Sequence, residues 1–135
     1  MTRSVMVLGL AVTLLICGLS CKDEVSNPDT GSPSNIVFPP TNVSYSQHVQ
    51  PLFFQACALS GCHNDAQSER VQLTSHGKVY FANPPIIVPG VPDQSVLVWR
   101  IEGTVGQRMP LNRNPLNQNQ INGIRTWIAE DARDN

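Results

Sequence analysis

Apolar residues recur with helical spacing from about residue 46 onward and predict a helical domain there. The first predicted helix runs from about Ser46 to Cys57. Its apolar positions, spaced i, i+3, i+4, i+7 and i+8, are Val49, Leu52, Phe53, Ala56 and Cys57. Pro51 either delays the start of this helix or kinks its first turn, because proline lacks a backbone N–H. Because Cys57 belongs to the apolar face of this helix, its thiol is expected to point towards the surface on which the helix packs.

The middle of the chain is predicted to be mostly loop, with two short helical pieces. Thr74 or Ser75 is placed to cap one or two helical turns. Asp93, after a proline, is predicted to cap a helix that continues to about Glu102. The alternative for residues 96–101 is a strand, because this run is rich in β-branched and aromatic side chains.

The last helix has the clearest start signals. Asn117 is predicted as its N-cap, Gln120 stands at the capping-box position, and Leu116 with Ile121 suits a hydrophobic staple. The helix is expected to run from Gln118 to about Asp131. Its apolar stripe consists of Ile121, Ile124 and Ile128, flanked by Trp127.

The first 20 residues have the pattern of an export signal. Arg3 supplies the positive start, and the almost wholly apolar run 5–16 is too short for a confident membrane span. The sequence Gly18-Leu19-Ser20-Cys21 resembles a bacterial lipobox, which implies that residues 1–20 are removed and Cys21 is lipidated. The alternative is an ordinary signal peptide cleaved nearby.

Residues 21–43 are predicted to form a flexible tether. The stretch 26–35 contains only Ser, Asn, Pro, Asp, Thr and Gly, so it lacks the apolar surface that would order it. A tether of this kind would hold the remaining domain, residues 44–135, away from a membrane surface.

The length and charge of the chain indicate a small domain and give no sign of a nucleic-acid partner. The chain has 135 residues, which suffices for one small domain. Without Arg3 the formal charge is −2, from eight basic and ten acidic side chains. No basic patch suggests nucleic acid. A domain this small often relies on disulfides, a metal or a cofactor for stability.

The candidate chemistry lies in the stretch Cys57-Ala58-Leu59-Ser60-Gly61-Cys62-His63. With Cys17 in the leader and Cys21 lipidated, Cys57 and Cys62 are the cysteines of the folded part. In an oxidising compartment two such thiols are expected to be bonded to each other or to another group. Two thiols followed directly by histidine form the pattern of c-type haem attachment, here C-x-x-x-x-C-H in place of the usual C-x-x-C-H. His63 is then the first axial ligand of the iron.

Met109 is the candidate for the second axial ligand, since His/Met ligation is common in cytochromes c. Met1 and Met6 belong to the leader, so Met109 is the methionine of the mature chain, and it stands in the loop Gly106-Gln107-Arg108-Met109-Pro110. The alternatives are an exposed turn methionine, or a second histidine ligand. His48 and His76 are expected to be surface residues.

The domain resembles small exported bacterial c-type cytochrome domains, including the planctomycete-type cytochrome c domains. The resemblance covers about Tyr45 to Ala132. The motifs that carry it are, in order, Val49-Gln50-Pro51-Leu52-Phe53, Cys57 to His63, Val88-Pro89-Gly90-Val91-Pro92-Asp93-Gln94-Ser95-Val96-Leu97, Met109-Pro110 and Trp127-Ile128. The longer gap between the cysteines departs from the usual motif, although wider spacings of this kind occur in the family.

The resemblance implies an all-α, cytochrome c-like fold with a loop-rich middle. The first and last helices would cross over one covalently bound haem c, with Phe53 and Trp127 at the crossing. It also implies an electron carrier, not an enzyme, that serves redox partner proteins from the periplasm or cell envelope and is held to a membrane by its N-terminal lipid.

Two other functions remain open from the residues. Cys57, Cys62 and His63 are possible zinc ligands, but the adjacent Cys62 and His63 chelate one tetrahedral ion poorly and no fourth ligand is obvious. A Cys57–Cys62 disulfide would instead stabilise a small binding module without haem. A haem peroxidase would need an open iron position, against which Met109 argues.

Overall fold

The computed structural model describes residues 35–67 and 70–135. The predicted leader, Cys21 and the first part of the tether lie outside the described residues. The described residues form helices and no strands, which agrees with the all-α prediction. The elements are a π-helical turn (Tyr45–Val49), α1 (Gln50–Ala56), α2 (His76–Tyr80), a 3₁₀ turn (Pro92–Gln94), α3 (Val96–Glu102) and α4 (Gln118–Ala129).

The first predicted helix is divided into two parts at the position that Pro51 dictates. Ser44 caps the π-helical turn by accepting a hydrogen bond from the Gln47 N–H, and α1 begins at Gln50 with Pro51 in its first turn. Gln50 donates its N–H to the Tyr45 carbonyl, five residues back. Proline has no N–H for the i−4 carbonyl and crowds that carbonyl sterically, so the preceding turn widens.

The run 96–101 is helical, and the strand alternative is wrong. The predicted Asp93 cap is also wrong: Asp93 lies in the 3₁₀ turn, and Ser95 occupies the N-cap position of α3. The buried Ser95 hydroxyl instead accepts from the Val88 N–H at 2.9 Å and donates to the Val91 carbonyl at 3.1 Å. Gly103, with φ +75°, ends α3 in the left-handed conformation that glycine adopts readily.

The start of α4 is as predicted. The Asn117 side chain accepts the Gln120 N–H at 2.8 Å, and the Gln120 side chain accepts the Asn117 N–H at 3.1 Å. This capping box satisfies two backbone donors at the helix start. The helix ends at Ala129, slightly before the predicted end at Asp131.

The buried apolar side chains form one cluster around α4. α4 packs against α3 and against the π-helical turn, where the rings of Trp127 and Tyr45 lie 5.4 Å apart. The largest fully buried side chains are Trp127, Phe53, Leu52, Ile124 and Ile128. Within the described ranges, no helix is both long and apolar enough to span a membrane.

Residues 36–43, here called the N-terminal strap, were assigned to the tether from sequence, yet they pack on α4. The Phe38 N–H donates to Asn119 Oδ1 at 2.8 Å, and Asn119 Nδ2 donates to the Phe38 carbonyl at 3.0 Å. The Glu130 carboxylate accepts the backbone N–H groups of Asn42 and Val43. Phe38 and Val43 are buried. The packed domain therefore begins before residue 44, because two widely spaced apolar side chains suffice when α4 supplies the polar partners.

Candidate functional site

Residues Cys57–His63, called the Cys–His loop, close a tight backbone turn at the end of α1. The Cys57 N–H still bonds to the helix, at 2.8 Å from the Phe53 carbonyl. The Cys62 N–H then donates to the Leu59 carbonyl at 2.9 Å, and the His63 N–H to the Cys57 carbonyl at 3.2 Å. Gly61 has φ +77°, which other residues adopt at a cost. The wider cysteine spacing therefore forms a closed turn in which the histidine backbone returns to the first cysteine.

The His63 imidazole is oriented by a backbone acceptor. Its Nδ1 lies 2.8 Å from the Val71 carbonyl oxygen, and the Leu73 N–H donates to the His63 carbonyl at 2.9 Å. A carbonyl only accepts, so Nδ1 carries the proton in this contact. In the neutral ring the lone pair then belongs to Nε2, which is the arrangement in which histidine binds metals.

The two thiols of the loop are free and differ in their surroundings. Cys57 is buried, with 8% of its surface exposed, whereas Cys62 is partly exposed. Burial raises the pKa of the Cys57 thiol to about 12, and the nearby Cys62 adds to the shift. At neutral pH Cys57 is therefore protonated and packed among apolar side chains.

A polar cluster on the outside of the loop fixes the chain that follows His63. Asp65 accepts hydrogen bonds from the Thr74 hydroxyl and, at 2.6 Å, from Lys78 Nζ. The bonds from Lys78 and Thr74 lower the pKa of the Asp65 carboxyl. Arg70 Nη1 donates to the Gly61 carbonyl at 3.1 Å. These contacts hold the segment that carries the Val71 carbonyl against the loop.

A second set of contacts links this segment to the core. Gln50 Nε2 donates to the Leu73 carbonyl at 3.2 Å, and the Tyr45 hydroxyl donates to Gln50 Oε1. Burial, with a contribution from the charge of Asp134, raises the pKa of Tyr45 well above its usual range. Tyr45 also packs on Trp127, so the chain of contacts runs from α4 through Tyr45 and Gln50 to the segment beside His63.

Asn64, the residue after His63, carries a buried side-chain amide oxygen. This Oδ1 atom makes no hydrogen bond within the described residues. A buried amide oxygen without a donor costs roughly 1–3 kcal/mol.

Met109 is held by a different part of the fold. Its N–H donates to the Arg100 carbonyl at 2.8 Å, which ties the Met109-Pro110 pair to α3. Met109 is half-buried and Pro110 is buried. The backbone contacts that fix Met109 are thus separate from those that fix His63, and its assignment as the second ligand stays a prediction.

The expectation that His76 is a surface residue is wrong. Its Nε2 donates to the Ala132 carbonyl at 2.7 Å, and only 14% of its side chain is exposed. The ring stacks on Tyr80 and meets Tyr45 edge-on, with centroids 5.2 and 4.9 Å apart. His48 is half-buried, and its Nδ1 accepts the Ser44 N–H at 3.1 Å. Both imidazoles are therefore hydrogen-bonded to backbone groups of the folded domain.

Neither a ready-made metal cluster nor the cavity beside α4 coincides with the Cys–His loop in the described residues. In residues 35–67 and 70–135, no group of three or more His, Cys, Asp or Glu side chains is arranged to hold a metal ion. A cavity of about 480 Å³ lies between the N-terminal strap and α4 and includes Phe38, Asn119 and Gly123 in its lining. None of the predicted site residues lines this cavity. The candidate site is therefore the Cys–His loop, which carries the two thiols and the imidazole.

Of the predicted site residues, Cys57, Cys62 and His63 belong to one hydrogen-bonded turn, Met109 lies on the α3 side, and Cys21 is outside the described residues. The Val71 carbonyl is the partner that sequence reasoning missed. It is a backbone group, so no residue type at position 71 could have indicated it. Comparisons of the chain with protein-family models, curated proteins and solved structures gave no match.

Proposed function

We propose that the protein is an electron carrier with one covalently attached haem c. In this proposal Cys57 and Cys62 hold the cofactor through thioether bonds, His63 is the proximal iron ligand and Met109 the distal one. The folded domain would be cytochrome c-like, with the first and last helices crossing near Phe53 and Trp127. The haem supplies the one-electron redox chemistry, and the chain supplies binding, orientation and insulation from water.

The hydrogen bond between His63 Nδ1 and the Val71 carbonyl carries this proposal. It selects the tautomer with Nε2 free and fixes the plane of the ring. The same turn holds two unpaired thiols, so the donor set matches that of a c-type attachment site.

Three exposed apolar side chains lie close in sequence to the proposed ligands and are compatible with the cofactor. Phe54 lies on α1 just before Cys57 and is 51% exposed. Val105 and Leu111 are exposed on either side of Met109. Single exposed apolar side chains are ordinary on protein surfaces, and in this proposal the apolar face of the porphyrin would cover part of these three. A shielded iron with a thioether ligand favours the reduced state and a raised potential.

The proposal extends to the N-terminus and the cellular location. The chain would be exported, cleaved before Cys21 and anchored to a membrane by lipid on that cysteine, with redox proteins as its partners. The mass of the mature protein tests this part independently of haem. The wild-type protein should carry the mass of a lipid on Cys21, and the Cys21→Ser variant should lack it. A mature protein without lipid on Cys21 would contradict the anchor while leaving the haem site untouched.

Expression of the exported chain together with bacterial haem-attachment machinery tests the function. The purified protein should be red, show a Soret band, and keep its haem colour after denaturing electrophoresis. The Cys57→Ala/Cys62→Ala double variant, expressed identically, should lose covalent haem. A colourless wild-type protein, obtained while a known c-type cytochrome matures in the same cells, contradicts the proposal.

A further inference from the structure

The hydrogen bond that orients His63 is made to a short backbone segment, and its length depends on where that segment lies. The Val71 carbonyl oxygen accepts it, at 2.8 Å from His63 Nδ1. Two residues later, the Leu73 N–H donates to the His63 carbonyl at 2.9 Å. Movement of the segment 71–73 away from the Cys–His loop therefore weakens the hydrogen bond at Nδ1.

Gln50, the first residue of α1, donates to this segment. Its Nε2 lies 3.2 Å from the Leu73 carbonyl oxygen. Leu73 is buried and Gln50 is half-buried, so the contact is partly shielded from water and is stronger than it would be at the surface. The Lys78–Asp65 contact near the same segment is exposed, and exposed ion pairs contribute little stability. The segment is therefore held mainly from the side of α1.

Tyr45 fixes the side chain of Gln50. Its hydroxyl donates to Gln50 Oε1, and the Leu73 carbonyl can only accept, so the amide nitrogen is directed to that carbonyl. Tyr45 is buried, with 4% of its surface exposed, and its ring lies 5.4 Å from that of Trp127. The position of the Gln50 amide is thus determined by the packed core.

The π-helical turn before Pro51 brings Tyr45 and Gln50 together. On an α-helix the neighbours on one face are three or four residues apart. Here the spacing is five: the Gln50 N–H donates to the Tyr45 carbonyl, and the Tyr45 hydroxyl donates to the Gln50 side chain. Single π-helical turns are frequent at functional sites. The turn that Pro51 widens therefore also serves the segment beside His63.

We propose that Gln50 is a positioning residue for His63: by holding the segment 71–73, it sets the strength of the hydrogen bond at Nδ1 and thereby the redox potential of the bound haem. This inference rests on the proposed function, since it concerns the same site. A stronger hydrogen bond at Nδ1 makes Nε2 a better electron donor to a metal, which favours the oxidised iron and lowers the potential. Loss of the Gln50 contact therefore raises the potential.

The Gln50→Met variant, matured with haem, tests this role by redox titration. Methionine keeps the length of the side chain and adds no charge, but it has no hydrogen to donate to the Leu73 carbonyl. The equilibrium constant for reduction should rise at least about threefold, which is roughly 28 mV for a one-electron couple. The potential does not depend on how much protein matures, so a lower yield leaves the measurement valid.

Two further variants separate this effect from a loss of stability. Asn117→Ala removes the N-cap of α4 and should leave the potential unchanged, because Asn117 makes no contact with the segment 71–73. The Tyr45→Phe/Gln50→Met double variant leaves no hydroxyl without a partner. Compared with Tyr45→Phe, it should show a rise in potential of the same sign as that of Gln50→Met.

Hydrogen exchange of the reduced protein, followed by NMR, reports on the segment itself. In Gln50→Met the Leu73 N–H should exchange at least about tenfold faster relative to the Ile124 N–H in α4, because local opening of the segment becomes easier. An unchanged or lower potential in Gln50→Met, an equal rise in Asn117→Ala, or unchanged relative exchange at Leu73 overturns the role of Gln50.

Failure of the proposed function gives a different result. A wild-type protein without covalent haem contradicts that function. Exchange at Leu73 in the protein as purified then still decides whether Gln50 holds the segment beside His63: faster exchange in Gln50→Met supports the contact, and equal exchange contradicts it.

Discussion

The Nδ1 atom of His63 donates a hydrogen bond to the carbonyl oxygen of Val71 across 2.8 Å. This contact sets the tautomer of the ring and leaves Nε2 as the nitrogen with the free lone pair, which is the atom that the proposed iron site would use. The Leu73 N–H donates to the His63 carbonyl, so the segment Val71–Leu73 is hydrogen-bonded to both the side chain and the backbone of His63.

Replacement of Met109 tests the second ligand. Met109→Ala should retain covalent haem, because the attachment bonds are elsewhere, but it should change the visible spectrum and lower the midpoint potential. A fall on the order of 0.1 V is expected, within the ~0.8 V range that axial ligands span. Gln107→Ala, a change at an exposed polar neighbour in the same loop, is the matched control and should leave the spectrum unchanged. An unaltered spectrum and potential in Met109→Ala would remove Met109 from the site.

A larger residue at position 123 is predicted to destabilise the protein because Phe38 packs directly on Gly123. A Cβ added at position 123 would overlap the Phe38 ring and its Cβ, so the strap can no longer lie on α4. Gly123→Ala should lower the free energy of unfolding by about 1–3 kcal/mol, the usual cost of overpacking. Urea denaturation followed by circular dichroism measures it.

The same substitution in a Phe38→Ala background provides the control. With the ring removed, alanine at position 123 should cost little or should stabilise α4, since alanine has a higher helix propensity than glycine. If Gly123→Ala costs the same in both backgrounds, the contact between Phe38 and α4 is not the cause.

The strap also shows where sequence reasoning was incomplete. Residues 36–43 contain two prolines and widely spaced apolar positions, so no period identified them as part of the domain. Their order depends on Asn119 and Glu130, whose side chains supply hydrogen bonds across more than 80 positions of sequence. Such long-range polar contacts leave no local pattern. Gly123 inside α4 was the one visible signal, since glycine in a helix interior often marks close packing.

Sequence-based predictions were correct where the interactions that determine the structure are made between neighbouring residues. The capping box at Asn117 was correctly predicted from four consecutive residues, because each of its hydrogen bonds is made within them. Pro51 correctly indicated a disturbed first helix, although the resulting π-helical turn was not specified. The Asp93 cap was wrong because Ser95 is buried and binds the neighbouring loop, a tertiary effect that outweighs the local preference.

The N-cap of α4 gives a stability prediction of its own. Asn117→Ala removes the acceptor for the Gln120 N–H and should lower the free energy of unfolding by about 1 kcal/mol. Thermal and urea denaturation of the variant measure the change. Gln118→Ala, at an exposed position in the same turn, should change stability by no more than about 0.5 kcal/mol. Equal losses in the two variants would contradict the capping role.

The contacts between Tyr45, Gln50 and the Leu73 carbonyl should be energetically coupled. Gln50→Met keeps the length of the side chain but leaves the Tyr45 hydroxyl without its acceptor. The cost should be about 1–2 kcal/mol in the wild-type background and smaller in Tyr45→Phe, where no hydroxyl needs a partner. A double-mutant cycle measured by urea denaturation gives this coupling. Strictly additive losses would show that the Tyr45–Gln50 hydrogen bond contributes no stability.

Tandem mass spectrometry of the peptide that carries Cys57 to His63 tests most directly whether haem is attached to Cys57 and Cys62. The peptide is taken from mature protein made with haem-attachment machinery. One haem is expected on this peptide, bonded to both sulfurs, and none elsewhere in the chain. A peptide with two unmodified thiols, or with a Cys57–Cys62 disulfide, from cells that mature a control cytochrome normally would contradict this attachment.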